Sequence, residues 1–232
     1  MCEVIGLRIP NSRATTHYVP LNRSNHPGLS PTGVKTYNPN ALPLRSHKRL
    51  LEQANEVQSA VTDVEAGRLA KQYGIKGLPL LSCLPSLEFP ASFPYDFMHL
   101  IWENLVKNLV LHWTGEFKGL DSGYEDYSFP KAIWEAIGEA TAASGSTIPS
   151  TFSSHVPNIA THKSQCNAEM WSFWTLYLGP VLLRQRFRHL KYYTHFICLV
   201  RLLNICLQFE ITDAEIEEIR TGFVSWVTEY EE

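Results

Sequence analysis

Tyr95-Asp-Phe-Met-His-Leu-Ile-Trp-Glu-Asn-Leu-Val-Lys-Asn-Leu-Val-Leu-His-Trp113 contains neither glycine nor proline. Stepped at about 100° per residue, its side chains separate. Met98, Ile101, Trp102, Leu105 and Leu109 gather on one side, and Asp96, His99, Glu103 and Lys107 on the other. This is the pattern of an amphipathic helix, expected over 95–113.

The same reading extends upstream. Pro79, Pro85, Pro90 and Pro94 mark residues 77–94 as a loop. Ser46 opens a helix expected over 46–73, with Leu50, Leu51, Ala54, Val57, Val61, Val64 and Leu69 as its stripe and Gly74 as its stop. Residues 1–45 hold six prolines and no sustained period, and read as an extended arm with short strands within 2–10 and 16–21.

Downstream, an acidic loop spans 115–129, and Pro130 opens a helix expected over 130–143. A Ser/Thr/Pro-rich loop precedes a helical pattern over 165–187, with a kink or break expected at Gly179-Pro180. Two more helices are expected over 192–209 and 213–230, the last opened by the capping box Thr212-Asp-Ala-Glu215. The fold class is mainly α, with about six helices behind an irregular Pro-rich arm. A parallel nucleotide-binding sheet has no material here, and the phosphate-loop, dinucleotide, nucleophile-elbow and zinc-protease motifs are missing from the sequence.

Composition agrees with a packed chain: 44% of the 232 residues are apolar and 19% charged. The net charge of -3 excludes a globally basic nucleic-acid binder. Its distribution is uneven, with seven Lys/Arg against one acid in residues 1–50 and thirteen against 22 in the remainder. A basic arm precedes an acidic body. Arg184, Arg186, Arg188 and Lys191 form a local basic cluster, with no acid from 170 to 209. They read either as phosphate contacts or as solvated cations near a helix C-terminus. The five cysteines lack a paired C-x-x-C, so neither a disulfide framework nor a zinc ribbon is indicated. The longest uncharged apolar run, 170–183, is too short to span a bilayer. With no signal peptide at its start, the chain is expected in an intracellular, reducing compartment, away from membranes.

Several blocks resemble one family in one order. Phe93-Pro-Tyr-Asp-Phe-Met-His-Leu-Ile-Trp-Glu-Asn-Leu105 resembles the CACTA (En/Spm-type) DDE transposases, in the form common among fungal transposon-derived proteins. Thr16-His-Tyr-Val-Pro-Leu21, Leu42-Pro-Leu-Arg-Ser-His47, Trp113-Thr-Gly-Glu-Phe-Lys-Gly119, Ala168-Glu-Met-Trp171 and Tyr177-Leu-Gly-Pro-Val-Leu-Leu183 continue the series. The resemblance covers nearly the whole chain.

It implies an RNase H-like nuclease in which three carboxylates hold two divalent metals that cut and rejoin DNA ends. In that family the two strand-borne aspartates precede a cysteine knuckle that binds zinc. This chain begins at the knuckle, with Cys2 as its remnant, so the resemblance covers the helical insertion and C-terminal part without the β-sheet. Glu169 matches the helix-borne third carboxylate, and Asp96-x-x-His99 matches the accessory D-x-x-H motif. Each also has a plainer reading: Glu169 as a first-turn acid facing the helix dipole, and Asp96 and His99 as a solvated helix face.

The expectation is a truncated transposase-like protein, nuclear, without cleavage or strand-transfer activity and without a bound cofactor. DNA and a full-length transposase are its expected partners, with Arg184, Arg186, Arg188 and Lys191 on the DNA. The alternative is a domesticated DNA- or protein-binding module that uses the basic arm.

Overall fold

The computed structural model describes residues 7–8, 17–18, 20–26, 29–117, 121, 123–149, 151–152 and 154–232. Cys2 lies outside them. The chain is mainly helical, and it divides into two compact units, one mostly up to Tyr95 and one mostly from Asp96 onward.

In the first unit, β1 (Leu7–Arg8) and β2 (His17–Tyr18) pair antiparallel, Leu7 opposite Tyr18 and Arg8 opposite His17. They fall within the two segments read as short strands. The arm is not extended throughout. Residues 29–37 return alongside 21–26, with Arg23 N–H donating to Lys35 O at 2.7 Å and Tyr37 N–H to Leu21 O at 2.8 Å. Arg23 is buried, its guanidinium 5.3 Å from the centre of the Tyr37 ring. Part of the arm's positive charge is therefore spent inside the fold.

The helix expected over 46–73 is two helices. α1 (His47–Gln58) starts at Ser46, whose Oγ accepts from Arg49 N–H at 3.2 Å. It buries Leu50, Gln53, Ala54 and Val57. α2 (Asp63–Tyr73) starts at Thr62, which is extended and accepts from Glu65 N–H at 3.2 Å. The break has a local cause. A threonine hydroxyl offers the backbone an alternative to a continuing helix, and Asp63 and Glu65 favour a helix N-terminus at that point. Val61 and Val64, placed on the apolar stripe by periodicity, are 91% and 85% exposed. Gly74, at φ 68°, ends α2 in the left-handed region where side chains are disfavoured, and Arg45 donates to Tyr73 O at 2.7 Å.

Among the described residues, the second unit holds five helices besides a short 3-10 turn at Lys163–Gln165. α3 is π-helical over Met98–Leu105 and α-helical over Val106–Trp113. α4 is Lys131–Ser144. α5 runs through Ala168–Phe173, a π turn at Trp174–Leu178, and Gly179–Leu182. α6 is Leu190–Cys206 and α7 is Asp213–Glu231. α7 carries the expected capping box, with Thr212 N–H donating to Glu215 Oε2 at 2.8 Å.

The π turns account for two departures from the sequence reading. A π turn closes i→i+5 bonds and takes an extra residue, so a wheel drawn at the α-helical step drifts. Met98, expected on the buried stripe, is 54% exposed, while Ile101 and Trp102 are buried. In α5 the helix does not break at Gly179-Pro180. Gly179 N–H reaches back to Trp174 O, five residues away, so the wider turn accommodates the proline's missing donor. Gly179 also lets α6 approach, since a Cβ there would stand 2.9 Å from Phe196 Cζ. The helix ends at Leu182, with Leu183 as its C-cap, short of the expected 187, and Gln185 beyond it takes a φ of 59° that no helix continues through.

The core is aromatic. Trp171, Trp174, Phe196, Leu199 and Leu203 are almost wholly buried. Trp174 Nε1–H donates to Thr141 Oγ at 3.1 Å, and that hydroxyl donates to Ile137 O at 2.8 Å. α6 and α7 are joined by a reciprocal pair: Trp226 Nε1–H donates to His195 O at 3.0 Å, and His195 Nε2 lies 2.9 Å from Trp226 O.

Candidate nucleic-acid interface

The Asp96-x-x-His99 pair forms at the start of α3. Asp96 Oδ1 accepts from His99 N–H at 3.2 Å, and Asp96 Oδ2 lies 2.6 Å from His99 Nδ1. His99 Nε2 faces Glu103 Oε2 at 3.4 Å. One imidazole thus sits between two carboxylates on a solvent-exposed face. The hydrogen bond to Asp96 raises the His99 pKa, with a smaller contribution from Glu103, and the same bond lowers the pKa of Asp96. The pair weakens as pH falls through the depressed Asp96 pKa or rises through the raised His99 pKa. An NMR titration of the His99 ring is expected to give a midpoint above the ordinary value of about 6.5. Asp96→Asn should lower that midpoint more than Glu103→Gln does. A midpoint indifferent to Asp96→Asn would contradict the pairing.

Glu169 stands exposed in the first turn of α5, a helix capped by Asn167, whose Oδ1 accepts from Met170 N–H at 2.9 Å. Glu169 Oε1 accepts from Ser154 N–H at 3.2 Å. Its carboxylate ties the 154–167 loop to the helix start. α5 packs against the π-helical half of α3, so Glu169 and the Asp96–His99 pair belong to neighbouring elements. Among the described residues, no group of three or more His, Cys, Asp and Glu is placed to hold a metal ion. Cys166 is buried, and burial pushes its thiol up to about 11.

The basic cluster lies on the turn between α5 and α6 and on the first residues of α6. Arg184, Arg186, Arg188 and Lys191 are all exposed. The turn is anchored from below by Phe187, 4.4 Å from Phe129 and 5.5 Å from Trp113 between ring centres. Arg188 donates to Asp126 Oδ1 at 2.9 Å, and His189 Nε2 lies 3.7 Å from Asp126 Oδ2. The Lys191 ammonium lies over the Tyr192 ring at 4.9 Å. No ion pair involves Arg184 or Arg186 among the described residues. These guanidiniums project from a short turn with a packed base, a geometry suited to meeting phosphate oxygens.

Sequence reasoning missed a half-buried polar relay. His112 Nδ1 lies 3.0 Å from Asp121 Oδ2, and His112 Nε2 lies 2.7 Å from the Tyr230 hydroxyl. Tyr127 O–H donates to the other Asp121 oxygen at 2.9 Å. The Asp121 carboxylate is only 5% exposed. Burial, then the bond to Asp121, drives the Tyr127 pKa upward. A neutral imidazole protonated on Nδ1 satisfies both neighbours. The relay fastens the acidic loop and the last turn of α7 to the end of α3. Only His112, ending an apolar helix, hinted at it in sequence. Tyr230 is 118 positions away.

Compared with models of known protein families, with curated proteins and with solved structures, the chain matches none.

Proposed function

We propose that this chain is a transposase-derived protein that binds the DNA backbone weakly and without sequence preference, and does not cut it. The observation that carries the reading is the turn at 184–191, where four exposed cations stand on a packed aromatic base within an otherwise acidic body. Such a patch binds by releasing counterions, which gives affinities of about 10⁻⁴–10⁻⁶ M at physiological salt. Base-specific readout requires a rigid element seated in a groove, and a short arginine turn does not supply one.

The family side of the proposal rests on the motif blocks. In it, Asp96, His99 and Glu169 are inherited positions from a nuclease whose full-length members use divalent metal and zinc. Two-metal cutting requires several carboxylates converging on oxygen-loving ions. Asp96 is engaged by His99, and Glu169 by Ser154. DNA and a full-length transposase are the proposed partners, and the nucleus the proposed location. No described helix is long and apolar enough to cross a membrane. The arm is the weaker DNA-binding candidate because Arg23 and Arg45 are buried.

Supercoiled plasmid mixed with the protein and Mg²⁺ or Mn²⁺ is expected to be retarded at low salt and to remain unnicked. Nicking that disappears in Glu169→Gln would overturn the proposal.

A further inference from the structure

The basic turn is partly occupied by the protein's own acidic loop. Asp126 presents one carboxylate oxygen to Arg188 and the other to His189. Two cationic or donor groups converging on the two oxygens of one anion is how a phosphate is held. The loop that delivers Asp126 is fixed on both sides. Upstream, Asp121 is held by His112 and Tyr127. Downstream, Phe129 is buried against Phe187 and Trp134. Between them, the Tyr127 ring meets Tyr192 edge-on at 6.0 Å. The carboxylate is thus presented by a strapped loop rather than by a mobile surface chain.

We propose that Asp126 is an internal phosphate mimic, and that the 123–129 loop holds Arg188 and His189 out of DNA binding until a backbone phosphate displaces it. The inference rests on the reading of the 184–191 turn as a DNA-backbone contact. The ion pair is solvent-exposed, with Arg188 66% and Asp126 53% accessible. Exposed pairs are weak, so the mimic is displaceable. It acts as a partial mask and not as a lock. In the masked state Arg184, Arg186 and Lys191 meet the backbone, and Arg188 adds its contact only when Asp126 withdraws.

The test is fluorescence anisotropy of a short duplex DNA with the full chain at several salt concentrations. Asp126→Asn is expected to tighten binding by about fivefold near physiological salt, and by more at lower salt, the gain of about one phosphate contact. It should steepen the dependence of log K on log salt by about 0.9. Glu139→Gln, the same charge change at an exposed site on α4, should leave affinity unchanged. Arg188→Ala alone should have little effect, because its charge is already met, but should abolish the gain when combined with Asp126→Asn. All these side chains are exposed, so the folded state is retained and can be checked by tryptophan fluorescence. An Asp126→Asn protein that binds like the wild type, or an Arg188→Ala protein weakened as much as Arg184→Ala, overturns the mask. Loss of Arg184 and Arg186 without effect on binding overturns the underlying reading instead. If neither wild type nor Asp126→Asn binds, both fall.

Discussion

Replacing Trp174 by alanine is expected to destabilise the unit from Asp96 onward by about 3–5 kcal/mol. The indole has no solvent-accessible surface. It stands among Trp134, Trp171 and Phe196, at ring separations of 6.0–6.4 Å. Its truncation removes apolar area and leaves a cavity that rigid aromatic neighbours fill poorly. It also removes the donor to Thr141, a hydroxyl buried in α4. All six tryptophans lie in this unit, so urea unfolding followed by tryptophan fluorescence reads it alone. The midpoint should fall by at least about 1 M. Trp174→Phe should fall between the two proteins, since it keeps most of the volume while losing the donor to Thr141 and part of the ring. An unchanged midpoint in Trp174→Ala would contradict the packing.

Asp121→Ala is expected to cost about 2–3 kcal/mol in the same assay, because hydrogen bonds to a charged group are the stronger kind. The substitution strips an acceptor from both His112 and Tyr127, at the half-buried junction of the acidic loop with α3. Amide hydrogen exchange should rise across 123–129 and in the last turn of α7, where Tyr230 depends on a correctly oriented His112. Exchange unchanged at Tyr230 would show that the imidazole needs no carboxylate to hold it.

Much of the helical framework was legible because its signals are local. The stripe Ile101, Trp102, Leu105 and Leu109, the capping box at Thr212 and the stop at Gly74 each act within one or two turns. The split between α1 and α2 was missed: the cap at Thr62, which accepts from Glu65 N–H, is hidden by an apolar period that runs through it. The π turns of α3 and α5 were not legible, because a π turn follows from tertiary packing and leaves no distinct pattern in the chain. The candidate site divides the same way. The Asp96–His99 pair and the cluster at 184–191 are contiguous in sequence. The Asp121–His112–Tyr230 relay and the Arg188–Asp126 pair join residues from separate elements, and pairing across such separations is set by how the helices pack.

The measurement that decides whether the 184–191 turn binds the DNA backbone is the salt dependence of duplex binding, compared between the wild type and Arg184→Ala/Arg186→Ala. With Arg184, Arg186 and Lys191 meeting phosphates, log K should fall with log salt at a slope of about -2.7, and the double substitution should reduce it to about -0.9. A slope untouched by the double substitution, or nanomolar sequence-selective binding that persists at high salt, would contradict it.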